Sequence, residues 1–249
     1  MPPRIAIPAP HSENSAYAER ALPQYENAVK MAGGEPVRIP LDQSPAELEQ
    51  IISSCDAVLL PGSPADVAPA KYQAERHPKT EASDDKREAV DELLLQDAYN
   101  LQKPILAICY GLQSLNVHRS GTLIQNIRDF RPPEKQFINH EAGRKVPVAH
   151  TVLVEPDSAL AGIVRASSKN GLIDVNSSHH QSAQKIGQGL RAVGRCPDDG
   201  VIEALEGTAP GHFVLAVQWH PERSVEEDEA SRAIFRALVD AAVQRRGMQ

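Results

Sequence analysis

The chain has 249 residues, of which 41% are hydrophobic, 24% charged and 4% aromatic, and its formal net charge is −7. That length suits one α/β domain with a large core and is short for two, so a single domain over 1–249 is expected. A negatively charged chain poor in aromatic rings repels phosphate backbones and anionic lipid, so neither nucleic acid nor membrane is expected as a partner, and no apolar run reaches the roughly 20 residues of a bilayer-spanning helix.

The amino terminus, "MPPRIAIPAP", lacks a signal peptide's long apolar segment and leads directly into a strand, "RIAIP". Helical spacing over 17–31 puts Ala21, Tyr25, Ala28 and Val29 on one side, and Gly33-Gly34 supply a stop. "EPVRIP" reads as a second strand. Ser44 can cap a helix over 45–53, with Glu47 in its first turn. "DAVLLPG" is a third strand ending in a Pro-Gly break, and the Pro-rich polar segment to residue 82 is a loop. An amphipathic helix follows over 87–101, then a fourth strand, "KPILAIC", and a short helix over 111–118. This alternation predicts a three-layer α/β fold, with a mainly parallel central sheet and helices on both faces. In the second half "HTVLVE", "GLIDVN", "GLRAVGR", "GVIEALE" and "FVLAVQWH" are strand-like and predict antiparallel edge strands, before a final helix over 227–244.

Cys55, Cys109 and Cys196 are far apart and form no CxxC pair, so a disulfide framework or zinc site is not expected, and a reducing cytoplasm is. Cys109 closes the fourth strand, at the edge where open α/β sheets bind ligands. Ala107 and Gly111, two residues before and two after it, are small, as a sharp strand-to-helix turn presenting a nucleophile requires. The dipole of the following helix is expected to lower the thiol pKa. A second motif, "VLAVQWHPE", supplies His220 as a base and Glu222 as a carboxylate to orient it. A third, "LLPGSPADVAPAKY", follows a strand of the same sheet. The N–H of its Gly62, with that of Tyr110, can form an oxyanion hole.

Together "PGSPADVAP", "LAICYGLQSLNV", "VNSSHHQ", "RCPDDGVIEALE" and "VQWHPE" resemble the class I glutamine amidotransferase-like hydrolases, over essentially the whole chain. Within them the chain looks closest to the gamma-glutamyl-gamma-aminobutyrate hydrolase branch, grouped with the C26 peptidases, whose fold is flavodoxin-like. The resemblance implies Cys109 as nucleophile, His220 as base and Glu222 as orienting acid. It implies oxyanion donors on the backbone of Gly62, helped by Ser63, and of Tyr110. Gln113 would hold the gamma-glutamyl moiety, and the 176–181 stretch, with Ser177 and His179, would line its pocket. The implied partner is a small gamma-glutamyl amide, cleaved through a gamma-glutamyl thioester; a homodimer is the assembly left open.

No metal or organic cofactor is expected. No His/Asp cluster has metal-ligand spacing, and His179 and His180, as neighbours on a strand, would face opposite ways. The chain departs from the family at four places. Ala107 stands where glycine is usual, Tyr110 where arginine often follows the cysteine, Ser120-Gly121 for a Gly-Gly pair, and Arg87-Glu88 for an Arg-Asp pair. The last two are expected to concern packing alone. Two alternatives remain: a glutaminase subunit feeding ammonia to a synthetase partner, and a non-catalytic regulatory protein on the same fold.

Overall fold

Apolar runs of four or five residues bounded by turns must be buried on both faces, and here they form the middle of a sheet. The computed structural model describes residues 1–130 and 138–247. Its first half alternates β1 (Arg4–Pro8), α1 (Ser15–Met31), β2 (Glu35–Ile39), α2 (Pro45–Ser53), β3 (Ala57–Leu60), α3 (Asp85–Leu101), β4 (Ile105–Ile108) and α4 (Tyr110–His118), with a 3-10 turn at Pro69–Tyr72. The second half contains β5 (Leu123–Ile124), α5 (Ile127–Phe130), β6 (His150–Val154), α6 (Ala159–Ile163), β7 (Leu172–Val175) and β8 (Ser182–Ala183). It continues with β9 (Leu190–Arg195), β10 (Ile202–Gly207), β11 (Val214–Val217), a 3-10 turn at Pro221–Arg223, and α7 (Glu229–Gly247).

Among the described residues nine strands form one sheet in the order β2-β1-β3-β4-β11-β10-β9-β6-β7. The first five are parallel, and β10, β9, β6 and β7 add on antiparallel. Alternation along the strands divides the core. Ile5, Ile7, Leu106, Ile108 and Val217 pack with Tyr25 and Val29 of α1 and Phe235 and Leu238 of α7. Ala6, Leu60, Ala107 and Ala216 pack on the other face with Ile52 of α2, Leu94 of α3 and Leu112 of α4. The expected three layers are therefore present.

Helix starts differ from the sequence reading where a cap decides them. Asp84 accepts from the N–H of Arg87, so α3 starts before residue 87. Asp228 accepts from Ser231 N–H, which delays α7 past residue 227. The Ser44–Glu47 pair forms a full capping box, as its spacing implies. One correction matters for function. The 176–181 stretch is irregular, between β7 and β8, so His179 and His180 are not neighbours on a strand. Among the described residues no helix is long and apolar enough to cross a membrane.

Candidate active site

β4 is flanked by β3 and β11 in parallel register, so the carboxyl ends of all three open onto one edge. Cys109 follows β4 directly, and its backbone N–H donates to Val217 O at 2.8 Å. Its φ of 54° and ψ of −107° are costly for a residue with a Cβ, about 1–3 kcal/mol, and turn the chain abruptly into α4. Gly111 makes the turn feasible: a Cβ there would lie 2.3 Å from Leu60 O. Ala107, fully buried, pairs with Leu60 and Ala216, and its methyl group is accommodated.

His220 lies three residues past β11, opposite Gly62. A Cβ on Gly62 would lie 3.0 Å from His220 Cε1 and 3.7 Å from Cys109 Cβ, so one small gap separates histidine and cysteine. His220 Nδ1 is 2.8 Å from Glu222 Oε1, which leaves Nε2 as the basic atom. Asn176 grips the backbone of His220 twice. Its Oδ1 accepts from His220 N–H at 3.0 Å and its Nδ2 donates to His220 O at 2.8 Å. Arg223 donates to Ser178 Oγ at 2.7 Å and lies 3.6 Å from Glu222.

Burial dominates the electrostatics. It pushes the Cys109 thiol up to about 12, against the pull of Arg223. The expected lowering of the thiol pKa by the α4 dipole is thus overturned. Burial also lowers the pKa of His220, which Glu222 raises only in part. Burial works against the Glu222 carboxylate as well, but His220 and Arg223 outweigh it and keep the group below its usual range. At neutral pH the site therefore rests as a thiol, a neutral imidazole and a carboxylate.

The loop after β3 is tied from behind. The Tyr25 hydroxyl accepts from Gly62 N–H at 3.0 Å, so that backbone donor is already engaged. Arg87, fully buried on α3, donates to Pro61 O at 2.7 Å, pairs with Asp91 at 2.7 Å, and lies 4.9 Å over the Tyr110 ring. It thus braces both the Gly62 loop and the residue after Cys109, a larger part than the packing role expected of it. Its neighbour Glu88 accepts from Ala68 N–H farther along the same loop.

Cys109 opens into a cavity of about 460 Å³, lined also by Ser63, Asp66, Lys79, Glu81, Tyr110, Gln113, Asn126, Arg128, Glu141 and Ser178–His180. Both charge signs are represented. Gln113 Nε2 donates to Gln181 O and Gln218 Oε1 at 3.3 and 3.4 Å, so its carbonyl is the end left for a ligand. Asp66 is bound by His180, Gln181 and the N–H of Glu81, which fixes the cavity floor. Ser177 does not line the cavity; its hydroxyl donates to His140 O. His179 contributes to the wall, but its ring turns away, with Nδ1 at 2.9 Å from Gln181 O and Nε2 at 3.5 Å from Glu203. Asn176, Asp66, Tyr25 and Arg223 carry structure here for which the sequence reading gave no role in the site; Asn176 and Asp66 lay within quoted motifs, and Tyr25 was read only as part of a helix face.

The family model described as Peptidase C26 matches residues 5–222. The chain is 38% identical over 220 residues to a Mycobacterium tuberculosis protein provisionally named a glutamine amidotransferase, covering 88% of this chain and 66% of that one, just under two thirds of its length. It is 32% identical over 248 residues to the gamma-glutamyl-gamma-aminobutyrate hydrolase of Escherichia coli K12, covering 96% of this chain and 93% of that one. Among solved structures, a chain provisionally described as a GMP synthase subunit from Thermoplasma acidophilum superposes with a TM-score of 0.63 at 16% identity, over 100% of this chain and 98% of that one. A chain of PurLQS from Thermotoga maritima gives 0.58 at 18%, over 96% and 99%. These likenesses bear on the fold, which is that of the class I glutamine amidotransferases.

Proposed function

The chain belongs to the peptidase C26 family, and from that membership we propose that it hydrolyses gamma-glutamyl amides of small amines, with Cys109 as nucleophile, His220 as base and Glu222 as its orienting acid. The observation that carries this reading is the strained cysteine at the mouth of a cavity of both charge signs, one small gap from a His–Glu pair. A gamma-glutamyl end is itself zwitterionic. Its ammonium suits the free carbonyl of Gln113 and its carboxylate the cationic side of the cavity.

The thiol and imidazole both start neutral, so the thiol proton passes to His220 Nε2 as sulfur attacks the gamma-carbonyl carbon. The carbonyl electrons move to oxygen, which takes hydrogen bonds from Tyr110 N–H and from Gly62 N–H in exchange for the Tyr25 hydroxyl. Collapse expels the amine, which takes the proton from His220 and leaves a gamma-glutamyl thioester on Cys109. A water that gives its proton to His220 then attacks the thioester; glutamate leaves and the thiol is restored.

The name of the M. tuberculosis relative favours a second reading, a glutaminase that releases ammonia with the same residues. Measured kcat/KM for gamma-glutamyl-gamma-aminobutyrate, its alpha-linked isomer and glutamine separates the two. A site built around the gamma-glutamyl end should reject the alpha-linked isomer by about 10²-fold or more. Glutamine should also be poor, and its being the best of the three would replace this reading with the second.

A further inference from the structure

Next to the 176–181 wall, with His179 part of it, four buried side chains from distant segments meet. His140 lies in the loop before β6, His150 opens β6, His179 sits between β7 and β8, and Glu203 is on β10. Their inward atoms all lie within 4.8 Å of one another. Glu203 Oε1 is 3.1 Å from His140 Nδ1, 3.5 Å from His150 Nε2 and 3.5 Å from His179 Nε2. A tetrahedral ion with bonds of about 2.0–2.1 Å separates its ligands by about 3.3 Å, close to the three distances from Glu203.

The outward side is the second observation. His140 Nε2 is 2.8 Å from Asp199 Oδ2, His150 Nδ1 is 3.1 Å from Thr151 O, and His179 Nδ1 is 2.9 Å from Gln181 O. Each acceptor fixes a proton on the outer nitrogen and turns the inner lone pair to the centre, as partners of metal-bound histidines do. Correspondingly, among the described residues His140 Nδ1, His150 Nε2, His179 Nε2 and both Glu203 oxygens have no hydrogen-bond partner, though Glu203 is completely buried. Such unmatched polar atoms in an interior are costly unless something joins them.

We propose that His140, His150, His179 and Glu203 form a structural zinc(II) site that pins the back of the cavity wall. Three imidazoles and a carboxylate are a zinc-type donor set. Four protein ligands complete a tetrahedron and leave no position for substrate, so the ion holds structure and takes no part in bond making. With the Glu203 and Asp199 carboxylates, a divalent ion makes the cluster neutral overall. The wall so held includes Ser178 and His180 of the cavity and Asn176, which grips His220. The sequence offers no ligand spacing because the donors are spread over more than sixty residues; the fold alone assembles them.

The rival explanation is a proton. Burial opposes a charge on His140, but Asp199 and Glu203 outweigh it and raise its pKa to about 9, so an imidazolium could bridge the two carboxylates. Elemental analysis of the full-length chain, expressed with added zinc and freed of any affinity tag, distinguishes them. The zinc site gives one equivalent per chain and, after cobalt exchange, the intense visible bands of four-coordinate cobalt(II). Removing the metal with a chelator should lower Tm by at least about 5 °C, and zinc should restore it. Glu203→Gln and His150→Gln should lose the metal; because either could misfold, the chelation and re-addition on the unmodified chain carry the decision. Protein that purifies without stoichiometric metal, and whose Tm neither zinc nor chelator moves, overturns the proposal in favour of the proton.

Discussion

Replacing Asn176 by alanine tests how His220 is held. The substitution removes both side-chain hydrogen bonds to the His220 backbone, at 2.8 and 3.0 Å, in a place where residue 176 is buried and His220 almost completely so. Each backbone group left without a partner costs about 1–3 kcal/mol, or about 2–6 kcal/mol for the two. A chain of this size loses about 2–4 °C of Tm per kcal/mol, so a fall of roughly 4–24 °C is expected. The imidazole loses its fixed position beside Gly62, across the gap from Cys109, and a displacement of about 1 Å at a reacting group costs on the order of 10²-fold in kcat. The assay is steady-state hydrolysis of gamma-glutamyl-gamma-aminobutyrate, with thermal unfolding alongside; KM should change far less than kcat. Asn176→Asp keeps the acceptor for His220 N–H, loses the donor and adds negative charge. It should raise the His220 pKa and shift the ascending limb of the pH profile to higher pH. A folded Asn176→Ala protein that loses the expected stability but keeps kcat within about threefold would refute the clamp as a catalytic support.

The pH dependence follows from the resting charges. As the proposed base, His220 has to be neutral to accept the thiol proton and burial lowers its pKa, so kcat/KM should rise with pH through a midpoint below 6.5. No limb from the Cys109 thiol should appear near neutrality, since that group is held up at about 12. Glu222→Gln removes the charge that partly raises the His220 pKa, so its midpoint should move lower still while kcat falls; a midpoint that moved up would contradict the pairing. Gly111→Ala, ordinarily favourable in a helix, should destabilise by about 1–3 kcal/mol in denaturant melts, because its Cβ would meet Leu60 O at 2.3 Å. Ser120→Gly should instead stabilise by up to about 1 kcal/mol without altering kcat, since Ser120 holds φ at 66° where glycine is unstrained.

The layers and the edge of the sheet that carries the candidate site are legible in the sequence because short apolar strands and capped helices announce themselves locally. "KPILAIC" must end a buried strand, Gly111 must allow a close approach, and "FVLAVQWH" must return beside it. What is not legible is whatever depends on distant segments meeting. Arg87 reads as an ordinary charge on a helix face, yet the fold buries it between Pro61 and Tyr110. Asn176 and His179 occur in one quoted motif but serve opposite sides of it, one holding His220 and the other facing Glu203. The helix dipole suggests an acidic thiol, but the sequence does not show how deeply Cys109 is buried, and burial wins. Ser120 is legible only halfway: a departure from glycine is visible in the sequence, and its cost appears only with the positive φ.

In the proposed mechanism Cys109 carries the gamma-glutamyl group during turnover. Rapid acid quenching of enzyme mixed with excess gamma-glutamyl-gamma-aminobutyrate, followed by intact-mass and peptide-mapping mass spectrometry, reads this directly. One gamma-glutamyl adduct per chain is expected, located on Cys109, absent from Cys109→Ala, and lost on standing at neutral pH as glutamate is released. Full turnover by Cys109→Ala, or an adduct found on Cys55 or Cys196 instead, would contradict it.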